Sequence, residues 1–143
     1  MDTKCSLYCY AKRNNIEIDC FHMRSGEALS ISINGSCAIA IDPQKIKSTA
    51  DETVKIAHEL GHCQYGGFYC MDSSLDMREQ HEYKANAWAV KKMIPWGKLK
   101  KAVVSGMQLW ELADYFDVTE PFMKWAIEYY TERKGYSFEH TKK

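Results

Sequence analysis

The sequence predicts an α+β fold, with strands in the first third of the chain and helices after them. Three observations carry this. Residues 28–41, "ALSISINGSCAIAI", hold two β-rich runs joined by Asn34-Gly35, the dipeptide that favours a type I′ hairpin turn. From Ser48 onward the apolar residues fall at helical spacing. The chain has 143 residues, 45% hydrophobic and 13% aromatic, enough for one domain with a buried core.

In chain order, residues 3–14 read as a helix with Leu7 and Ala11 on its apolar side. Residues 16–23, "IEIDCFHM", alternate and read as a strand. The hairpin follows, and Asp42-Pro43 ends it because proline has no N–H to give a ladder. Thr49 and Glu52 fit a capping box, with Asp51 a rival cap. The helix they open runs through Val54, Ile56, Ala57 and Leu60 and ends near Gly66-Gly67. A loop at 66–75 leads to a second helix, about 76–94, stopped by Pro95. Shorter helices fill the rest, broken at Ser105-Gly106 and at Asp117-Val118-Thr119.

Composition excludes several function classes. Lys plus Arg (19) equals Asp plus Glu (19), which leaves no net charge to draw in a phosphate backbone or an anionic membrane. No apolar run approaches the ~18 residues a membrane span needs, and the first residues do not form a signal peptide. The expected compartment is the cytoplasm. Six cysteines are then expected as free thiols, with Cys5 and Cys9 in the core rather than on a metal.

The chemistry centres on "KIAHELGHCQY", residues 55–65. On a helix, His58 and His62 lie on one face, ~6 Å apart along the axis. Two imidazoles so placed converge on one zinc ion at Zn–N distances of about 2.0–2.1 Å. Glu59 stands ~100° around the helix from His58, beside such an ion rather than bound to it. Zinc lowers the pKa of a bound water toward ~7, and Glu59 is placed to take its proton and pass it to a leaving amine.

Catalytic zinc usually has three protein ligands and one open position. The spacing leaves the third ligand open among Cys63, Cys70, Asp72, Asp76, Glu79, His81 and Glu82. Glu82, Ala85, Asn86, Ala89 and Met93 share one face of the second helix. Its alanines allow close approach to the histidine helix, and Gly61 removes bulk beside His62.

"IAHELGH" followed by "EYKANAWAVKKMIP" resembles the ImmA/IrrE family of zinc metallopeptidases. The likeness covers residues 54–95, with Lys55 and the "KKMIP" ending as departures. It implies a small zincin-like domain: a short sheet on the metal helix and a helical C-terminal half. In that domain, residues 1–47 form the N-terminal helix and hairpin, 48–95 the metal-site helices and 96–143 the C-terminal helices. It further implies His58, His62 and Glu82 as ligands, Glu59 as the catalytic glutamate and Zn2+ as the ion. The implied substrate is a helix-turn-helix repressor of a phage or mobile element, cut to relieve repression.

An oxyanion donor is sought among Tyr65, Tyr69, Tyr83, His81 and His22, and Asn86 is placed to orient a ligand. Strand 36–41 is expected to offer a free edge to an extended substrate. Residues 109–130 read like a helix-turn-helix, but its second helix offers Glu120, Glu128 and only Lys124, a poor set for reading DNA. A protein-contact or structural role is expected there, with no direct nucleic acid partner. Two rival readings remain: a non-catalytic, metal-stabilised module that acts by binding a partner, and a DNA-binding regulator using residues 107–131.

Overall fold

A computed structural model describes residues 3–65 and 75–138. The first helix, α1, spans Thr3–Arg13 and buries Leu7 and Ala11. Cys5 and Cys9 are exposed, against the core positions expected of them. Each lies two residues, ~200° of helix, from the side that Leu7 and Ala11 turn inward.

Three strands follow: β1 (Glu17–Cys20), β2 (Ala28–Ile33) and β3 (Ser36–Ile41). The sheet order is β1-β3-β2, with β1 parallel and β2 antiparallel to β3. Asn34 and Gly35 take φ of 50° and 81°, the double left-handed geometry a type I′ turn requires. The first strand is shorter than its alternation suggested. The Met23 N–H leaves the ladder and donates to Asp42 Oδ2 at 2.9 Å, and the chain turns at Gly26, φ 81°.

Asp42 is fully buried and fixes this corner. It accepts from the N–H groups of Met23 and Gln44 (3.0 Å) and stands 3.1 Å from His22 Nδ1. The Met23 hydrogen bond, against the opposing effect of burial, holds the Asp42 carboxyl below its usual range. Lys45 Nζ donates to the Met23 and Gly26 carbonyls at 2.7 and 2.9 Å. The entry into β2 is therefore pinned on both sides.

The helical half comprises α2 (Thr49–Tyr65), α3 (Leu75–Met93), α4 (Trp96–Val104), α5 (Leu109–Phe116) and α6 (Glu120–Glu128), closed by one π turn at Tyr129–Arg133. The cap of α2 sits one residue earlier than the Thr49–Glu52 box. Ser48 Oγ accepts from the Asp51 N–H at 3.0 Å, and Asp51 Oδ2 accepts from the Lys47 N–H at 3.0 Å. Glu52 turns instead to Tyr8, whose hydroxyl donates to it at 3.2 Å. Ile39 and Ile41 of the sheet share one buried cluster with Ile56 and Leu60 of α2. Burying each such side chain contributes about 1.5–3 kcal/mol.

A disulfide joins Cys37 to Cys63, correcting the expectation of free thiols at these two positions. Packing β3 on α2 brings their Cα atoms to 5.7 Å, inside the span a disulfide bridges. The bond closes a sequence separation of 26 residues, for which chain entropy gives roughly 3–4 kcal/mol. Reduction should therefore lower the urea midpoint of the chain. The Cys37→Ser/Cys63→Ser double variant should show the lowered midpoint without reductant. An unchanged midpoint in both cases would contradict this. Among the described residues, no helix is long and apolar enough to cross a membrane.

Candidate metal centre

The centre begins with a close helix crossing. At Gly61 the two helices of the motif meet: an added Cβ would lie 2.5 Å from the Ala85 carbonyl oxygen and 2.8 Å from the Ala85 Cα. Backbone touches backbone there, so the residues flanking Ala85 on the same face of α3 are carried over the histidine face of α2. Glu82 lies one turn before Ala85 and Asn86 directly after it.

Three donor side chains converge as a result. His58 Nε2 stands 2.7 Å from Glu82 Oε2, His62 Nε2 3.1 Å from Glu82 Oε1, and the two Nε2 atoms are 3.2 Å apart. A tetrahedral ion with bonds of about 2.0–2.1 Å would set its ligands ~3.3 Å apart, near the 3.2 Å between the imidazoles, and one ligand atom from each residue lies within 4.8 Å of the others. Two imidazoles and a carboxylate are also the donor types zinc takes in hydrolytic sites. The residues fit a divalent ion with one position left for water. Among the described residues, these three form the group that could hold one.

The proton positions are set from outside the triangle. His58 Nδ1 donates to Asn86 Oδ1 at 2.6 Å, so in the metal-free chain it is Nε2–H that donates to Glu82, and Nε2 becomes the lone-pair nitrogen once that proton is displaced. Burial pulls the His58 imidazolium pKa down, but the hydrogen bond and charge of Glu82, with help from Glu59 and Asn86, outweigh it and raise the net value. The hydrogen bonds from His58 and His62 hold the Glu82 carboxyl far below the usual carboxylate range.

A pH dependence follows from these shifts. In the metal-free chain, His58 contributes stability below the ordinary imidazole pKa, about 6.5, and loses it as pH rises through the higher folded value. Glu82 contributes above the ordinary carboxylate pKa and loses its part as pH falls toward its depressed value. An incoming ion must displace the His58 proton. Zinc should therefore bind more tightly at pH 8 than at pH 5.5 and release a proton at the lower pH. At a hundredfold excess over Kd, zinc should stabilise the chain by ~2.7 kcal/mol. Calorimetric titration in two buffers of different ionisation enthalpy measures the proton, and a pH-independent affinity would refute the coupling.

The remaining candidates divide clearly. Cys63 is committed to Cys37. Glu79 is exposed and His81 half-buried on α3, and neither joins the three-donor group. His22 faces Asp42. Tyr83 packs its ring on Trp125 and Tyr129, at centroid distances of 5.8 and 6.1 Å, instead of on the histidines. Tyr69, Cys70 and Asp72 lie outside the described residues, as do the side chains of Tyr65 and Asp76.

Glu59 is half-buried and lines a cleft of about 280 Å³ with His58, Asn86, Lys55 and the start of β2 at Glu27 and Ala28. Lys55 bridges Glu27 and Asp51 at 2.6 Å each and ties the entry of β2 to α2 beside Glu59. The sequence reading missed both pairs; the i,i+4 spacing to Asp51 is a signal that could have found the first, and nothing local marks the second. The expected substrate edge is corrected as well. β3 is the central strand, paired on both sides, and among the described residues the unpaired sheet edge beside the cleft belongs to β2.

Comparison with known proteins finds no matching family model, no matching curated protein and no matching solved structure.

Proposed function

We propose that this chain is a metal-dependent endopeptidase with zinc as its working ion. The observation that carries the reading is the convergence of His58, His62 and Glu82 beside a cleft that also holds Glu59. A divalent ion bound by these donors supplies Lewis acidity to a water and to the scissile carbonyl. Glu59 accepts the proton of the attacking water at its carboxylate and delivers it to the leaving amine nitrogen. Asn86 keeps the Nε2 lone pair of His58 turned toward the other donors.

The open edge of β2 accounts for how a substrate is held. An extended peptide pairing with residues 28–33 takes its register from backbone hydrogen bonds and runs past Glu27 and Ala28 into the cleft. The proposed substrate is a helix-turn-helix repressor of a phage or mobile element, and that part rests on the likeness of "AHELGH" and "EYKANAW" to the ImmA/IrrE pattern.

The test is incubation of the zinc-loaded chain with repressors encoded near its gene, followed by mass spectrometry of the products. Discrete fragments that vanish with a chelator and return with zinc support the reading. Intact repressors that nevertheless bind the chain would favour the non-catalytic module instead.

A further inference from the structure

A second cleft, of about 160 Å³, lies where α3 meets the C-terminal helices. Its walls are the rings of Tyr83, Trp125 and Tyr129, and its rim carries Glu128, Glu132 and Arg133. Trp125 and Tyr129 stack at 5.6 Å with planes 9° apart, and Tyr83 tilts against both. The chain itself supplies a cation to these rings: the Arg133 guanidinium lies 5.1 Å from the Tyr83 centroid. Lys134 Nζ stands 5.8 Å from that of Tyr129. Both distances are within the ~6 Å at which a ring quadrupole attracts a cation.

Two further observations separate this cleft from ordinary packing. Glu128 and Glu132 are exposed, and neither forms a salt bridge among the described residues, so two carboxylates stand without an ion-pair partner beside rings that already attract the Arg133 and Lys134 cations. The helix also widens there, with the Lys134 N–H bonded to the Tyr129 carbonyl at 3.1 Å in the π turn Tyr129–Arg133. That turn delivers Tyr129, Glu132 and Arg133 to one site, and such turns inside α-helices concentrate at functional positions.

We infer that this cleft binds the guanidinium of an arginine presented by a peptide partner, with Arg133 as the internal occupant that the partner displaces. Aromatic faces take the flat cation, and Glu128 and Glu132 neutralise it. The site is independent of the metal centre: Tyr83 follows Glu82 in α3, but its ring turns to the C-terminal helices.

The experiment titrates the full metal-free chain with N-acetyl-arginine amide and, separately, with the uncharged isostere N-acetyl-citrulline amide. The tryptophan indole N–H signals are followed by NMR, that of Trp125 being assigned from Trp125→Phe. Saturable movement of the Trp125 signal with the arginine compound and not the citrulline one is expected. Arg133→Ala should tighten binding by roughly two- to fivefold, the range an exposed cation–π contact supports. Arg133→Gln, which keeps the side chain's length, should do the same, and Glu128→Gln/Glu132→Gln should weaken binding. Equal shifts with both compounds, or no tightening in either Arg133 variant, would overturn the inference.

Discussion

Glu59→Gln is expected to abolish peptide hydrolysis while leaving fold and metal affinity in place. The substitution is nearly isosteric and removes the carboxylate's charge and its ability to take and return a proton. General acid–base catalysis by a positioned group is worth typically 10²–10⁴-fold, so cleavage should fall by at least about a hundredfold. The candidate ligands His58, His62 and Glu82 are untouched, and Glu59 belongs to the cleft rather than to the three-donor group. Glu59 also helps hold the His58 pKa up, so its loss eases removal of the His58 proton and should not weaken zinc binding near pH 6. Initial cleavage rates and zinc affinity on the same preparation check both halves. Undiminished cleavage by the variant would remove Glu59 from the mechanism, and lost zinc binding would make it structural.

The second large effect is on stability. Gly61→Ala places a methyl 2.5 Å from the Ala85 carbonyl oxygen and 3.0 Å from the Ala85 carbonyl carbon, and both are backbone atoms that cannot swing aside. To restore ordinary contact, α3 must retreat by roughly 1 Å, and Glu82 and Asn86 retreat with it. Glycine to alanine inside an exposed helix ordinarily stabilises by roughly 0.5–1 kcal/mol, but overpacking of this kind costs typically 1–3 kcal/mol. The sign should therefore reverse. Urea unfolding should show the loss, and competition with a chromogenic chelator should show weaker zinc binding, since the donors separate as the helices part. A variant at least as stable as the parent, with unchanged affinity, would mean that the crossing is looser than described.

The sequence made much of the centre legible because local rules govern it. His58 and His62 share a face through helical geometry alone, and Asn34-Gly35 specifies its own turn. Ala85 and Ala89 marked the second helix as able to lie close to the histidine helix, and the closest approach falls at Ala85, against Gly61. The third donor was harder. Spacing left Glu79, His81 and Glu82 all open, because a face shared along one helix does not say how far that helix is rotated toward another. The Gly61–Ala85 contact fixes that rotation and brings Glu82, but neither alternative, to the histidines.

Where expectation failed, the missing information was long-range. The 28–41 pattern announced a hairpin but not that β1 would pair with β3 from the other side, which moved the open edge to β2. Cys37 and Cys63 carried no local sign of partnership; their approach depends on β3 lying against α2. The same holds for the ring cluster of Tyr83, Trp125 and Tyr129, which unites a residue of α3 with others more than forty positions away. By itself, then, the sequence determined which residues lie together on one helix face or in one turn, since the backbone's own periodicity decides that. The tertiary structure decided which faces meet, because packing depends on the shapes of surfaces that chain order leaves unspecified.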